Sequence, residues 1–174
     1  MDTLRYLLGY PDHLQDEVRR ALAAGRVGRW LATRYPDRHQ ATSDRALYAY
    51  TMALKQAHLR NAPGIDKVCY DARLDPVKNA LGLHTAISRV HGARLKAKKE
   101  IRIASVFREA PAAFLQTIVV HELAHLKEAE HNKAFYQLCE YMLPDYHQRE
   151  FDLRVYLTWR DLAPPADAAD QEKE

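Results

Sequence analysis

Hydrophobic residues recur at helical spacing through the first third of the chain. One apolar stripe predicts a helix from about Asp12 to Ala24. A shorter helix through Trp30 and Leu31 follows, and Ser43 is positioned to cap a third helix. The apolar stripe of this third helix consists of Leu47, Tyr50, Leu54 and Ala57. Residues 1–62 are therefore predicted to form a helical N-terminal region.

Alternation of apolar and polar residues replaces helical spacing after the breaker sequence at positions 61–64, Asn-Ala-Pro-Gly. The predicted strands are Lys67 to Tyr70, Leu83 to Val90 and Arg94 to Ala104. Gly92 lies between the last two strands, where a turn is expected. This pattern predicts a hairpin within a small antiparallel sheet.

A strongly apolar helix is predicted to start at Pro111, which suits a first helical turn. Its hydrophobic residues are numerous enough to be buried on more than one side: Phe114, Leu115, Ile118, Val119, Leu123 and Leu126. Two further helices, around Leu138 and around Val155, are separated by Pro144. The tail from Ala163 onward is rich in Pro, Ala, Asp and Glu and is expected to be disordered.

The composition is that of an ordinary globular domain. The chain has 174 residues, of which 47% are hydrophobic and 28% charged, close to the averages for such proteins. No run approaches the roughly 18 consecutive apolar residues that a membrane span needs. Residues 1–6 also lack the basic and apolar regions of a signal peptide. We therefore expect a cytoplasmic protein without a membrane partner.

Charge and cysteine content narrow the function classes further. The formal net charge of +3 is too small to indicate nucleic-acid binding unless it is concentrated in one patch. The two cysteines, Cys69 and Cys139, lie far apart and in no paired motif. This excludes a disulfide framework and a four-cysteine zinc site. Each cysteine is expected to be a small buried hydrophobe.

A metal-binding motif lies on the predicted central helix. In the sequence His-Glu-Leu-Ala-His, His121 and His125 are four residues apart, so their imidazoles share one helix face. Catalytic zinc sites use three protein ligands and leave the fourth position to water, and His131 follows six residues later. Glu122 is suited to take a proton from the metal-activated water and return it to the leaving group. The motif predicts one divalent ion, zinc, with these three histidines as ligands.

His131 reaches the metal only if the helix ends before it. On an unbroken helix, six residues would place His131 about 9 Å further along and roughly 240° around the axis. Asn132 tolerates a left-handed conformation, which we expect to reverse the chain towards the metal. Two other interpretations remain open. The histidines are exposed or hydrogen-bonded in a core, or they form a structural zinc site, for which Cys139 is a poor fourth ligand.

Three further groups of polar residues have a functional and a structural interpretation each. Residues that follow the motif either stabilise charge on a substrate or are core aromatics: Tyr136, Tyr141, Tyr146 and His147. A basic strand face either cradles phosphates or is solvated sheet surface: Arg94, Lys96, Lys98 and Arg102. Residues of the preceding strand either line a cleft or are sheet surface: His84, Ser88 and Arg89.

The segment Ile118–Lys127, followed by His131, Phe135 and Tyr136, resembles the signature of the YgjP-like family of predicted metal-dependent hydrolases. This family is a branch of the zincin-type metallopeptidases related to the SprT-like proteins. The resemblance implies an α+β, zincin-like fold. In it, a small antiparallel sheet packs on a central metal-binding helix, with a helical N-terminal region and C-terminal helices.

The resemblance also implies roles for individual residues. The metal ligands would be His121, His125 and His131, with Glu122 as the acid–base residue. From the pattern of elements, we expect the hydrolase core to span residues 63–162 and to form one compact domain with 1–62, and residues 163–174 to be a disordered tail. One departure concerns positions 88–93, which read Ser-Arg-Val-His-Gly-Ala where many members carry Ser-Arg-Trp-Gly-Ser-Cys. Substrate inferences from those members therefore do not transfer.

Two activities follow from the resemblance. The family name implies hydrolysis of peptides, and the YgjP-like branch is associated with hydrolysis of UTP to UMP and pyrophosphate. We therefore expect a zinc-dependent hydrolase of the metallopeptidase type, with UTP pyrophosphatase as the alternative activity. A third hypothesis is a non-catalytic binding module stabilised by its metal. Glu122 distinguishes it, because a structural site has no use for a carboxylate beside its first ligand.

Overall fold

The computed structural model describes residues 4–76 and 99–162. The predicted strand Leu83 to Val90, the first part of the strand Arg94 to Ala104, and the tail from Ala163 lie outside these residues. Single turns of 3-10 helix span Arg5–Leu7 and Ser105–Arg108. The other elements, in chain order, are α1 (Asp12–Ala23), α2 (Val27–Arg34), α3 (Asp44–His58), β1 (Lys67–Asp71), β2 (Glu100–Ala104), α4 (Ala112–Ala124), α5 (Lys133–Met142) and α6 (Tyr146–Leu162).

All six predicted helices are present in the described residues. The third helix begins as its cap predicts, because the Ser43 Oγ accepts a hydrogen bond of 3.1 Å from the Ala46 amide. The central helix α4 begins at Ala112, directly after Pro111. It is buried along nearly its whole length, and its fully buried side chains include Phe114 and Leu123. An apolar helix of this kind belongs in the centre of a core.

The two described strands pair in parallel, with Lys67 opposite Glu100 and Asp71 opposite Ala104. The prediction of an antiparallel sheet is therefore wrong for this pair. Alternation indicates which residues share a face of the sheet, but it does not indicate the direction of the neighbouring strand. The connection from residue 72 to residue 99 is long enough for the crossover that parallel strands need. The predicted hairpin around Gly92 lies outside the described residues.

The chain forms two compact units. The first comprises Met1–Pro36 and Phe151–Glu174, of which 4–36 and 151–162 are described, and the second is Asp37–Glu150. In the second unit, β1 packs against α3, β2 against α4, and α4 against α5. A small sheet packed on the central helix is the arrangement expected of a zincin-like domain. The predicted division into 1–62, 63–162 and 163–174 stays a prediction.

Both cysteines are buried and unpaired, as expected for small hydrophobic side chains. Among the helices of the described residues, none combines the length and the apolar character needed to cross a membrane.

Candidate metal centre

Two of the three motif histidines are positioned by the end of the central helix. His121 lies in the last turn of α4 and is 3% exposed, and His125 follows directly after the helix. Their Nε2 atoms are 3.2 Å apart. The His131 Nε2 lies 3.2 Å from that of His121 and 3.1 Å from that of His125. The three predicted ligands therefore converge on one point through the same type of atom.

The chain turns between Ala124 and Lys133 so that His131 faces the helix it has just left. The amides of Lys127 and Glu128 both donate to the Ala124 carbonyl, at 3.1 and 3.0 Å, and close the end of α4. Asn132 is extended, with φ −94° and ψ −176°, and its side chain caps α5 by accepting from the Phe135 amide at 2.9 Å.

The prediction that Asn132 reverses the chain in a left-handed conformation is therefore wrong. A residue whose side-chain oxygen caps a helix has an extended backbone. At this position Asn132 caps a new helix and does not adopt the left-handed conformation. The turn itself is built without a left-handed residue, since no non-glycine residue in 4–76 or 99–162 has a positive φ.

The outer nitrogens of two imidazoles are hydrogen-bonded. The His125 Nδ1 lies 2.9 Å from the Glu128 carbonyl oxygen, and the His121 Nδ1 lies 2.8 Å from the Tyr146 hydroxyl. A carbonyl oxygen only accepts, so the His125 Nδ1 carries the hydrogen. The neutral ring then directs the lone pair of its Nε2 towards the other two histidines.

The spacing of the three Nε2 atoms fits a bound transition-metal ion. Nitrogens at about 2.0 to 2.1 Å from a tetrahedral zinc ion are about 3.3 Å from one another, close to the 3.1–3.2 Å observed here. Lone pairs that face each other at this distance repel unless a proton or a cation lies between them. The donor set of three imidazoles is one that zinc accepts, and no carboxylate joins it among the described residues.

Phe135 packs against all three imidazoles. Its ring centroid lies 4.9 Å from that of His121, 4.5 Å from that of His125 and 4.8 Å from that of His131. Phe135 is fully buried, and the Asn132 cap fixes its backbone. One side of the triad is thus closed by an apolar wall, which keeps water from competing for the nitrogens there.

Glu122 follows His121 in the last turn of α4. Its side chain retains part of its surface in solvent, while the protein atoms around the carboxyl group raise its pKa to about 8 by desolvation. A carboxyl group with a pKa near neutrality is able both to accept and to return a proton, as a general acid–base residue must.

Residues 70–156 match the family described as YgjP-like, metallopeptidase domain. The UTP pyrophosphatase of Escherichia coli strain K12 is 60% identical over 162 residues, which cover 93% of this chain and 97% of that protein. The chain belongs to the YgjP-like family. The prediction of a metal-dependent hydrolase is thereby confirmed. No solved structure matches this chain.

In this YgjP-like protein, the four residues predicted to act on substrate have different surroundings. Tyr146 is fully buried behind His121, where burial raises its pKa well above the usual value, so its hydroxyl stays protonated. The Tyr136 ring lies tilted against those of His131 and His147, with ring centroids 6.4 and 5.3 Å away. Tyr141 is 65% exposed and meets the ring of His58 edge-on.

The predicted basic face is only partly described. Arg102 forms an ion pair with Asp71 at 2.9 Å, which joins β2 to β1, and a second ion pair with Glu100 of its own strand at 3.1 Å. The charge of Arg102 is therefore paired with carboxylates within the sheet of this YgjP-like domain. The remaining candidates lie outside the described residues: His84, Ser88, Arg89, Arg94, Lys96 and Lys98.

Sequence reasoning named Tyr146 but not its contact with His121. The two residues are 25 positions apart on different helices, and no periodicity connects them. The only available signal is general: a histidine that binds metal through one nitrogen usually donates from the other.

Proposed function

We propose that this protein is a zinc-dependent hydrolase that cleaves UTP to UMP and pyrophosphate, with zinc bound by His121, His125 and His131. The observation that carries the metal site is the convergence of three Nε2 atoms within 3.2 Å of one another. The substrate is carried over from the Escherichia coli UTP pyrophosphatase, on the strength of 60% identity along nearly the full length of both chains.

When bound, the ion supplies a positive charge that lowers the pKa of water and neutralises the group under attack. The protein's own residues hold the ion and move the proton. The Glu122 carboxylate accepts a proton from the attacking water, and the protonated carboxyl group then gives it to the oxygen of the departing pyrophosphate. Burial raises the pKa of Glu122 to about 8, and the positive charge of a bound ion would lower it again, towards the carboxylate form that accepts the proton.

Peptide hydrolysis is the second candidate, and the description of the matched family as a metallopeptidase domain favours it. The same set of residues suits an attack on a carbonyl carbon or on a phosphorus atom, because in both reactions water loses a proton and a leaving group gains one. The substrate must therefore be decided by experiment. We also propose a cytoplasmic location, which the two buried free cysteines support because free thiols persist in reducing compartments.

The proposal is tested by measuring release of UMP and pyrophosphate from UTP by the zinc-loaded full-length protein. Glu122→Gln is expected to lower kcat by about 10²- to 10⁴-fold, the usual contribution of a general acid–base residue. It should retain its zinc and its melting temperature. Glu130→Gln is the matched control, because it makes the same change in an exposed carboxylate in the turn that leads to His131. This variant should keep wild-type turnover.

Each failure has a separate meaning. Cleavage of a peptide library without cleavage of UTP would make the substrate assignment wrong but keep the hydrolase. Undiminished turnover by Glu122→Gln would remove Glu122 from the reaction. A zinc-loaded protein that cleaves neither substrate would favour the binding module, and absence of zinc binding would overturn the metal centre.

A further inference from the structure

The Tyr146 hydroxyl meets the side of His121 that faces away from the triad. The oxygen lies 2.8 Å from the His121 Nδ1, and the tyrosine side chain is fully buried. This tyrosine belongs to the first turn of α6, which supports His121 from behind. A hydroxyl in this place has no route to a substrate bound on the Nε2 side, so its effect must pass through the imidazole.

His121 and His125 differ in what holds their outer nitrogens. The Glu128 carbonyl accepts from the His125 Nδ1 and permits a single tautomer. A hydroxyl both donates and accepts, so Tyr146 permits either tautomer of His121 unless its own hydrogen has another acceptor. The ability of His121 to present a lone pair at Nε2 therefore depends on the direction of one O–H bond.

Cys139 lies next to that hydroxyl. Its thiol is fully buried in α5, where burial raises its pKa and the neighbouring Tyr146 hydroxyl offsets part of that rise. A phenolic O–H is a stronger donor than a thiol S–H, so the sulfur is the acceptor that the hydroxyl hydrogen would take. The oxygen lone pairs of Tyr146 would then be free to accept from the His121 Nδ1–H.

We propose that Tyr146 is a positioning residue that, with Cys139 as its acceptor, holds His121 in the tautomer that presents Nε2 to the metal. In this arrangement the His121 Nδ1–H donates to the Tyr146 oxygen, 2.8 Å away, and the Tyr146 hydroxyl would donate to the Cys139 sulfur. This inference rests on the proposed function in one respect, namely that the triad binds a metal ion.

The tautomer is measured on the metal-free protein by ¹⁵N–¹H correlation NMR of the histidine rings at a pH where they are neutral. In the wild type, His121 is expected to carry its hydrogen on Nδ1. Tyr146→Phe removes the acceptor with little change in shape, and His121 is expected to shift towards the Nε2–H form. Tyr141→Phe is the matched control, because the same hydroxyl is deleted from a tyrosine that is 65% exposed.

Zinc affinity is measured by chelator competition on the same proteins. Tyr146→Phe should weaken zinc binding by about 10- to 100-fold, as expected when a metal-binding histidine loses its hydrogen-bond partner. Cys139→Ala should weaken it by a smaller factor, and Cys139→Ser should restore affinity because a hydroxyl oxygen also accepts. Wild-type affinity in Cys139→Ala would remove the cysteine from the inference.

The outcomes separate this inference from the proposed function. An unchanged His121 tautomer in Tyr146→Phe would overturn the positioning role, whatever the metal does. If the wild type failed to bind zinc, the proposed function would fail, while the NMR result on the metal-free protein would still decide whether Tyr146 sets the tautomer. If zinc bound Tyr146→Phe as tightly as the wild type, the positioning role would also be wrong.

Discussion

The position of His131 distinguishes a metal site of three histidines from two histidines that only share a helix face. Histidines four residues apart share a helix face in many proteins without binding anything. The third imidazole arrives from outside the helix, with its Nε2 at 3.1 and 3.2 Å from the other two. Lone pairs that face each other at this distance repel, and a cation bound between the three nitrogens would remove that repulsion.

Replacing His131 by alanine is therefore expected to weaken zinc binding by more than about 100-fold. Losing only the hydrogen-bond partner of a metal-binding side chain already lowers metal affinity by about 10- to 100-fold. Chelator competition followed by elemental analysis measures this. The control is His147→Ala, which removes a histidine that is 56% exposed and paired with Glu140 at 3.3 Å. Equal zinc affinity in the two variants would contradict a ligand role for His131.

The sequence indicated which histidines come together here better than it indicated what surrounds them. The convergence of His121 and His125 follows from a spacing of four, which is a local property of the helix. The hydrogen bond from His125 to the Glu128 carbonyl is local, and the expected end of the helix could have indicated it. The contact of His121 with Tyr146 depends instead on how α6 packs. Contacts between helices are set by tertiary structure, and a single sequence carries no direct signal of them.

At the scale of elements, the start of α5 fixes the end of the turn that carries His131. Asn132 caps this helix through its side-chain oxygen, and His131 is the residue immediately before the cap. The position of the third imidazole thus depends on where a helix begins.

Asn132→Ala is expected to destabilise the protein by about 1 kcal/mol, the usual cost of losing an N-cap. It should also weaken zinc binding, because the residue before the cap becomes less ordered. Asn132→Ser retains an acceptor oxygen at the cap without adding a negative charge beside Glu128, and should lose less than Asn132→Ala in both respects. Urea unfolding and chelator competition measure the two effects, and a loss of zinc affinity in Asn132→Ser as large as in Asn132→Ala would contradict the capping argument.

Helices were predictable here, whereas the direction of the strands was not. The apolar stripe of α3 and its Ser43 cap are visible in a window of a few residues, and the structure follows both. The pairing of β1 with β2 joins residues that are more than thirty positions apart. Alternation alone is the same for parallel and antiparallel neighbours, so the strand direction was assigned wrongly.

At the scale of the whole molecule, the first unit is built from both ends of the chain, residues 4–36 and 151–162. Two ion pairs join these segments. Arg34 meets Asp152 at 3.1 Å, and Arg5 meets Asp161 at 2.8 Å. No motif in the sequence indicated that the two ends associate, because the stripes of α1 and α6 show only that each helix has an apolar face.

The two pairs are expected to differ in their contribution to stability. Asp152 is 1% exposed and also accepts from the Tyr35 hydroxyl, so Asp152→Ala removes a buried acceptor shared by two donors and should cost about 1 to 3 kcal/mol. Asp161 is 43% exposed, and Asp161→Ala should cost less than about 1 kcal/mol because water replaces the lost contact. Both tryptophans, Trp30 and Trp159, belong to this unit, so urea unfolding followed by tryptophan fluorescence measures the difference. Equal losses of unfolding free energy in the two variants would show that burial of Asp152 does not determine how much it contributes to stability.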